Sequence, residues 1–322
     1  VSYLREIAKR FDCKPMIIAT NDAFLLFLSR NRKQLEDKFI VCLPEQNVVD
    51  MLIDKYEFYK VARKHNLAVP RTVDLSNADQ YEQVLEEIKY PCLLKARTKM
   101  IAARSGRATS LIYDKSMLKK IFLEDKELCS GFVLQEIIEG EGANHISVAV
   151  YMDENSKLKN SFFARKIRQN NLGAGTFVES IAGNSHAETF IKFLEDIRYT
   201  GIAEIELKKD DKDGLYKVIE INPRPWLQIS LARKCGLDFA WMYYSEACGI
   251  ICEKKNNYFS GLKWMDLLGD FYLCFSKKGR KRRKMRELIA WIRQAFCVQV
   301  YSTFSLTDIT PFVQDVFNYI KK

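Results

Sequence analysis

The chain has 322 residues, 51 Lys and Arg against 41 Asp and Glu, and a formal net charge of +10. That length is too great for one small core and suits two or three packed subdomains. Its 48% hydrophobic and 29% charged residues are ordinary for a folded soluble protein, and no apolar run approaches the roughly 18 to 20 residues of a membrane span.

No secretory signal is visible, and the chain opens on Val1 in a helical pattern, so an upstream piece is expected. The nine cysteines form no C-x-x-C pair, and most lie in apolar runs. They read as reduced thiols of a cytosolic protein, not as a disulfide framework or zinc site. His65, His145 and His186 lie far apart in sequence, which argues against a histidine metal centre.

Residues 1–50 alternate helix and strand. "SYLREIAKRF" has helical spacing, "KPMIIAT" reads as a short buried strand, "NDAFLLFLSRNRKQL" as a helix capped by Asn21 or Asp22, and "KFIVCLP" as a second strand. That alternation predicts an open, parallel sheet. "NVVDMLIDKYEFYKVARKHNL" predicts one long amphipathic helix and "ADQYEQVLEEIKY" another. "PCLLKAR" is a buried strand carrying Lys95, and "ATSLIYD" reads as its hairpin partner. "SMLKKIFLEDKELC" is helical. "GFVLQEIIEG", "NHISVAVYMD" and "NSFFARKIRQ" follow as strand-like segments, then the glycine-bearing "LGAGTFVESI" and the helix "HAETFIKFLEDIRY". "GIAEIELKKD" and "LYKVIEINPRPW" are strands joined by a turn rich in Asp and Gly. Residues 227–252 are helical and apolar, and the remainder is mostly helix around the basic run "KKGRKRRK" at 277–284.

The strand "YKVIEINPRPW" carries an acid, an amide and a guanidinium on alternate positions before it stops on prolines. Side chains alternate faces along a strand, so Glu220, Asn222 and Arg224 share one face, with Ile219, Ile221 and Pro223 on the other. In the preceding strand Glu204 and Glu206 share a face. If the two form a hairpin, Glu206 lies beside Glu220. Two carboxylates and an amide on one face call for a cation, and hard oxygen ligands suit magnesium bound with a nucleotide's phosphates. Arg224 is then placed to neutralise a phosphoryl group. The bland alternative is an outward face of surface ion pairs, against which Asn in a strand needs a reason. Lys95 reads either as a snorkelling edge lysine or as a point charge for a phosphate. "VLQEIIEGEG" fits a hinge whose backbone reads an adenine edge.

In this order, the segments "DKYEFYKVARKHNLAVPRT", "YPCLLKA", "VLQEIIEGEG", "FFARKIRQNNLGAGTFVES" and "GIAEIELKKDDKDGLYKVIEINPRPW" resemble the ATP-grasp superfamily, over about residues 45–250. The nearest branch is that of carboxylate–amine ligases and carbamoyl-phosphate-synthase-like proteins. The resemblance implies an α/β chain of the α+β ATP-grasp class. Two α+β subdomains (51–255) would clasp ATP, after a partial Rossmann-like pre-grasp domain (1–50) and before a helical, basic extension (256–322).

It further implies that Lys55 and Lys95 contact phosphates, that Gln135, Glu136, Ile137 and Ile138 form the adenine hinge, and that Glu139 holds the ribose. Glu206, Glu220 and Asn222 match the Mg2+ ligands, with Mn2+ as a substitute. Arg224 and Arg165 match basic residues facing phosphate or substrate, and "NNLGAGTFVES" a substrate-facing loop. The family's glycine-rich phosphate loop is not matched. Its counterpart, "ARTKMIAARSGRATSL", has only Gly106 and carries Arg97, Lys99, Arg104 and Arg107 instead.

The activity so implied is ATP-dependent activation of a carboxylate as an acylphosphate, then capture by an amine, both small molecules. One alternative is carbamoyl-phosphate-synthase-like phosphorylation of carbonate or carbamate. Another is a non-catalytic binder of anionic lipid or nucleic acid through the basic run. That run lacks interleaved aromatics, so no nucleic acid is expected. Peripheral contact with an anionic membrane stays open. A homodimer is the default assembly.

Overall fold

A computed structural model describes residues 1–76, 88–124, 130–140, 144–170, 173–250, 252, 254–255, 257–275 and 285–320. The predicted helix around residues 78–90 and the basic run at 277–284 fall mostly or wholly outside them.

Five helices come first: α1 (Ser2–Ala8), α2 (Asp22–Arg30), α3 (Arg32–Leu35), α4 (Gln46–Ile53) and α5 (Lys55–Lys64). Asn21 caps α2 by accepting from the Phe24 amide. The first two segments expected as strands do not form a ladder. They run parallel and meet at the single bridge Met16–Ile40. Among the described residues no further strand pairs with either segment, and two short parallel segments alone are a weak sheet. The long helix predicted across residues 47–67 is two helices. Asp54 leaves the helical conformation (φ −84°, ψ 111°), and its carboxylate caps the Tyr56 and Glu57 amides. A competent N-cap in mid-pattern ends one helix and starts the next, which makes Lys55 the first residue of α5.

A four-stranded sheet follows, in the order β1-β4-β2-β3, from β1 (Thr72–Asp74), β2 (Cys92–Ala96), β3 (Thr109–Ile112) and β4 (Phe132–Glu136). The expected hairpin of β2 and β3 forms, with Lys95 opposite Thr109. Between them stands α6 (Lys99–Ser105), capped by Thr98 and closed by Gly106 in the left-handed region (φ 68°). The segment that a glycine-rich loop would occupy is therefore a short helix, as its Ala, Met and Arg content favours. Helix α7 (Lys115–Glu124) leads on to β4.

The larger sheet has seven strands in the order β11-β10-β7-β6-β5-β8-β9. These are β5 (His145–Met152), β6 (Leu158–Gln169), β7 (Gly175–Ile181), β8 (Gly201–Lys209), β9 (Tyr216–Asn222), β10 (Lys263–Met265) and β11 (Val300–Tyr301). The helices are α8 (Glu188–Asp196), α9 (Ile229–Lys234), α10 (Phe239–Ala247), α11 (Leu267–Phe275), α12 (Met285–Phe296) and α13 (Thr310–Ile320). The apolar stretch 227–252 is thus two helices, and the C-terminal part, expected to be mostly helical, also adds β10 and β11 to the sheet edge.

Both faces of this sheet are covered. On one, Ile146, Val148, Phe163, Ile205, Leu207 and Ile221 pack with Phe58, Tyr59 and Phe193 from α5 and α8. On the other, Ala149, Tyr151, Phe162 and Ile202 pack with Trp226, Leu231 and Phe239 from the α9–α10 side. That second face changes character along the strands: apolar beneath α9 and α10, charged where it meets the smaller sheet. Each fully buried Phe or Leu contributes about 1.5–3 kcal/mol, so the apolar half anchors the strands that present the charged half. Among the described residues no helix is long and apolar enough to cross a membrane.

Candidate active site

A cavity of about 490 Å3 lies between the two sheets. Its lining carries six Lys and Arg (Lys55, Lys95, Lys99, Lys166, Lys208, Arg224) against four Glu (Glu136, Glu204, Glu206, Glu220). An excess of positive charge in a partly closed site suits a polyanion.

The hairpin of β8 and β9 sets its floor. Glu204 stands opposite Asn222 and Glu206 opposite Glu220, as alternation predicts. The register shifts just beyond Glu206, where Leu207 pairs with Val218. This bulge turns Ile219 to the cavity beside Glu220, instead of keeping it with Ile221 on the opposite face. The Tyr59 hydroxyl donates to the Ile219 carbonyl and pins the bulge.

Charge around the hairpin is paired throughout. Lys55 donates to Glu220 at 3.0 Å and Lys166 to Glu206 at 2.5 Å. The Asn222 amide nitrogen meets Glu204 at 3.1 Å, Glu206 at 3.4 Å and Glu220 at 3.5 Å. Its oxygen accepts from Lys99 at 2.9 Å and Arg224 at 3.3 Å. Asp22, the first residue of α2, accepts from Arg224 at 2.5 Å and meets Lys99 at 3.0 Å.

These neighbours decide the protonation states. Burial alone would raise the Glu220 carboxyl, but Lys55 and then Lys99 hold it well below the usual carboxylate range. Burial would lower the Lys55 ammonium, and Glu220 more than offsets that, leaving it raised. Glu204, which also accepts from Ser147 at 2.5 Å, is pushed up by burial and then by Glu206. Lys95 differs from the others: among the described residues nothing hydrogen-bonds its ammonium, and burial followed by repulsion from Lys55 lowers it to about 8. His145 is lowered to about 3 by burial and then by Lys166 and Lys208, so it faces the cavity as a neutral imidazole.

The other wall comes from the smaller sheet. Gln135 is buried and donates to Thr72 Oγ1 at 3.1 Å. Glu136, Ile137 and Ile138 follow along the rim, and the Ile138 carbonyl accepts from Lys208 at 2.7 Å. Helix α5 is fastened to the end of β2: the Lys55 amide donates to the Arg97 carbonyl at 2.9 Å, and Arg97 Nε donates to both Asp54 oxygens at 3.1 and 3.0 Å.

Of the residues singled out from sequence, the cavity gathers Lys55, Lys95, Lys99, Gln135, Glu136, Ile137, Ile138, Glu204, Glu206, Glu220, Asn222 and Arg224. It does not gather Arg165 or Glu139. Arg165 pairs with Ile146 of β5, on the face where Phe163 is packed, and its guanidinium binds Glu179 at 2.7 Å. The basic residue of β6 that reaches the cavity is its neighbour Lys166, because consecutive strand residues face opposite ways. Glu139 lies at the surface, 2.9 Å from Lys212. Of the described residues of the substrate-facing loop, Gly173 to Gly175 line the cavity, together with Gln169, Leu227 and Gln228.

The arrangement of two sheets around this cavity matches solved structures. The biotin carboxylase domain of Hydrogenobacter thermophilus 2-oxoglutarate carboxylase, a dimer in complex with MgADP, ADP and bicarbonate, superposes with TM-score 0.63. It is 17% identical and covers 81% of this chain and 60% of that one. The chain has the ATP-grasp fold. A second protein of this fold, Staphylococcus aureus N5-carboxyaminoimidazole synthetase complexed with ADP, gives TM-score 0.62 at 14% identity, covering 81% of this chain and 66% of that one. In sequence, the chain is 25% identical over 242 residues to a D-aspartate ligase of Enterococcus faecium, which accounts for 70% of this chain. It spans 57% of that ligase's length. No family model matches. In grasp terms, the smaller and larger sheets are the two jaws, and the charged hairpin of β8 and β9 lies in the larger.

Proposed function

We propose that this ATP-grasp chain is a Mg-ATP-dependent ligase that activates a substrate carboxylate as an acylphosphate and joins it to an amine. The observation that carries this reading is the placement of Glu206 opposite Glu220, with the Asn222 amide against both, inside a cavity otherwise rich in cations. The two carboxylates fit Mg2+, which takes one or two carboxylates together with phosphate oxygens, and a turn of the Asn222 amide would exchange the nitrogen now facing them for the oxygen now bound to Lys99 and Arg224. When bound by Glu206, Glu220 and Asn222, the ion would draw charge off the terminal phosphates.

The chain's own residues have separate tasks. Lys55 and Lys95 take phosphate oxygens, and the rim from Gln135 to Ile138 takes the base, with Ile219 below it. Lys99, Lys166 and Arg224 receive the substrate carboxylate and the phosphoryl group in transfer. A carboxylate oxygen attacks the γ-phosphorus, the bond to the β–γ bridging oxygen breaks, and ADP leaves with that electron pair. The amine then attacks the acyl carbon, phosphate leaves, and the amine's proton passes to water. No protein nucleophile is needed; positioning and charge stabilisation carry the reaction. The relative's name, D-aspartate ligase, makes amino acids the first substrates to try. A cytosolic location and a homodimer go with this reading; sedimentation of the purified chain tests the dimer.

Calorimetric titration of ATP, with and without Mg2+, tests the site. Wild type should bind ATP tightly only with Mg2+, and Glu220→Ala and Asn222→Ala should lose that dependence. Nucleotide binding unaffected by either substitution would sink the proposal. A second reading, phosphorylation of bicarbonate, draws on the bicarbonate in the Hydrogenobacter structure. ADP release stimulated by bicarbonate alone, without an organic acid, would select it.

A further inference from the structure

Helix α12 has two faces of different kind. Inward, Trp291 stacks edge-on against Phe271 of α11 at 5.2 Å between ring centres, and its indole nitrogen donates to Asp270 Oδ2 at 2.8 Å. Ala295 is buried on the same side. Asp270 itself is fully buried and accepts from Arg168 and Thr176 of the larger sheet. The rotation of α12 about its axis is thereby fixed.

Outward, Met285, Ile289, Ile292 and Phe296 recur at intervals of four, three and four, the spacing of one helical stripe. All four are exposed, Phe296 at 84% and Met285 at 69%. Arg286 and Arg293, seven residues apart, run along one edge of that stripe. The sequence leading into α12, outside the described residues, carries seven Lys and Arg in residues 277–284. Scattered exposed apolar side chains are normal; four in a row on one helix, edged by arginines, are not.

We infer that the exposed face of α12 lies on an anionic lipid surface, with the Met285–Ile289–Ile292–Phe296 stripe entering the headgroup boundary and Arg286 and Arg293 facing the lipid charge. Apolar burial and attraction to anionic headgroups act together in interfacial helices. The arginine edge and the seven basic residues upstream in the sequence give this face the charge that complements an anionic lipid surface. The inference stands apart from the ligase reading, since no residue of the stripe lines the cavity.

The test is co-sedimentation of the full chain with vesicles of phosphatidylcholine alone, or with about 30% phosphatidylglycerol. Binding is expected only to the anionic vesicles, and it should weaken as salt rises from about 0.1 M to about 0.5 M. The variant Ile289→Glu/Phe296→Glu should bind about ten-fold more weakly or worse. Arg286→Glu/Arg293→Glu should bind more weakly with the stripe intact. Both pairs are at the surface, and Phe296→Ala serves as a milder variant should the first pair fail to fold. Absence of binding by wild type overturns the proposal. Binding undiminished in the stripe variants does so too, by assigning the attraction to the basic run alone. So does self-association of wild type that the stripe variants abolish, because a second copy would then cover the stripe.

Discussion

Lys55 Nζ lies 3.0 Å from Glu220 Oε2, across 165 residues of chain. Lys55 is the first residue of α5, where the helix dipole disfavours a cation. Glu220 belongs to a sheet face where other carboxylates crowd it. Each is locally misplaced, and each is made tolerable by the other.

Removing one partner should therefore expose the cost of the other. Lys55→Met is expected to lower stability by about 2 kcal/mol at pH 7, because the side chains are only 17% and 22% exposed and Glu220 loses its nearest counter-charge. The sign with pH follows from Glu220. In wild type its pKa lies below the unfolded value, so its contribution is present above the unfolded pKa and lost as pH falls through the folded one. In Lys55→Met it is a carboxylate short of that counter-charge, which protonation relieves. The deficit should be greatest above about pH 5 and shrink in acid. Urea denaturation at pH 4 and pH 7 reads both values; an equal deficit at the two would rule this account out.

Lys95 should report nucleotide binding through protons. Burial and then Lys55 lower its ammonium to about 8, whereas the unfolded value is about 10.4. Its charged form is thus disfavoured on folding, and its penalty falls as pH rises from the lower value to the higher. A phosphate beside it raises the pKa again. Near pH 9, ATP binding should therefore take up a proton, and the binding enthalpy should vary with the buffer's ionisation enthalpy. Near pH 7 the uptake should be small. Lys95→Met should abolish the variation; a buffer effect that survives it would place the proton elsewhere.

Arg165 and Lys166 are adjacent, and only one faces the cavity. Lys166→Met is expected to lower kcat/KM about 100-fold, as does loss of a preorganised cation at developing charge. Arg165→Met, which breaks a half-exposed pair with Glu179, should stay within about two-fold in rate and about 1 kcal/mol in stability. Steady-state kinetics and thermal unfolding on the two variants separate them, and the reverse order of effects would refute the assignment.

Asp270 should prove expensive to neutralise. Asp270→Asn keeps the shape but leaves the Arg168 guanidinium without its carboxylate and alters the acceptors for Thr176 and Trp291. A loss of about 3 kcal/mol is expected, with α12 released first. Limited proteolysis should then cut after residue 284 more readily than in wild type, and an unchanged cleavage pattern would count against that order.

How much of this could be read in sequence depended on how local the cause was. The Glu220-Ile221-Asn222-Pro223-Arg224 stretch was legible because strand alternation and an Asp- and Gly-rich turn together place its side chains opposite Glu206. The bulge at Ile219 was not, since it arises from pairing rather than from composition. The resemblance points to Arg165 and not to Lys166, and the pattern of β6 does not correct it, because β6 is covered on both faces and does not say which face meets the ligand. Pairing it with the acid-bearing face of β8 would have chosen Lys166. Asp54 was visible as an acid in a helical run, yet its capping competence lay hidden in a periodicity that continues across it. Asp22, His145 and Lys208 enter the site through tertiary contacts alone.

The double fastening of Lys55 and Arg97 bears on how such a protein can change over generations. One backbone bond and one guanidinium–carboxylate pair fix α5 to the end of β2, so Lys55 and Lys95 are held at a fixed separation, which on the ligase reading gauges a polyphosphate. At the other end, the lining comes from Gly173 to Gly175, where the Gly173 and Gly175 carbonyls accept from Lys166 and Gln228, and from Leu227 and Gln228 themselves. On the ligase reading, new acids and amines can be explored by altering that end alone, while the demand for nucleotide is inherited unchanged.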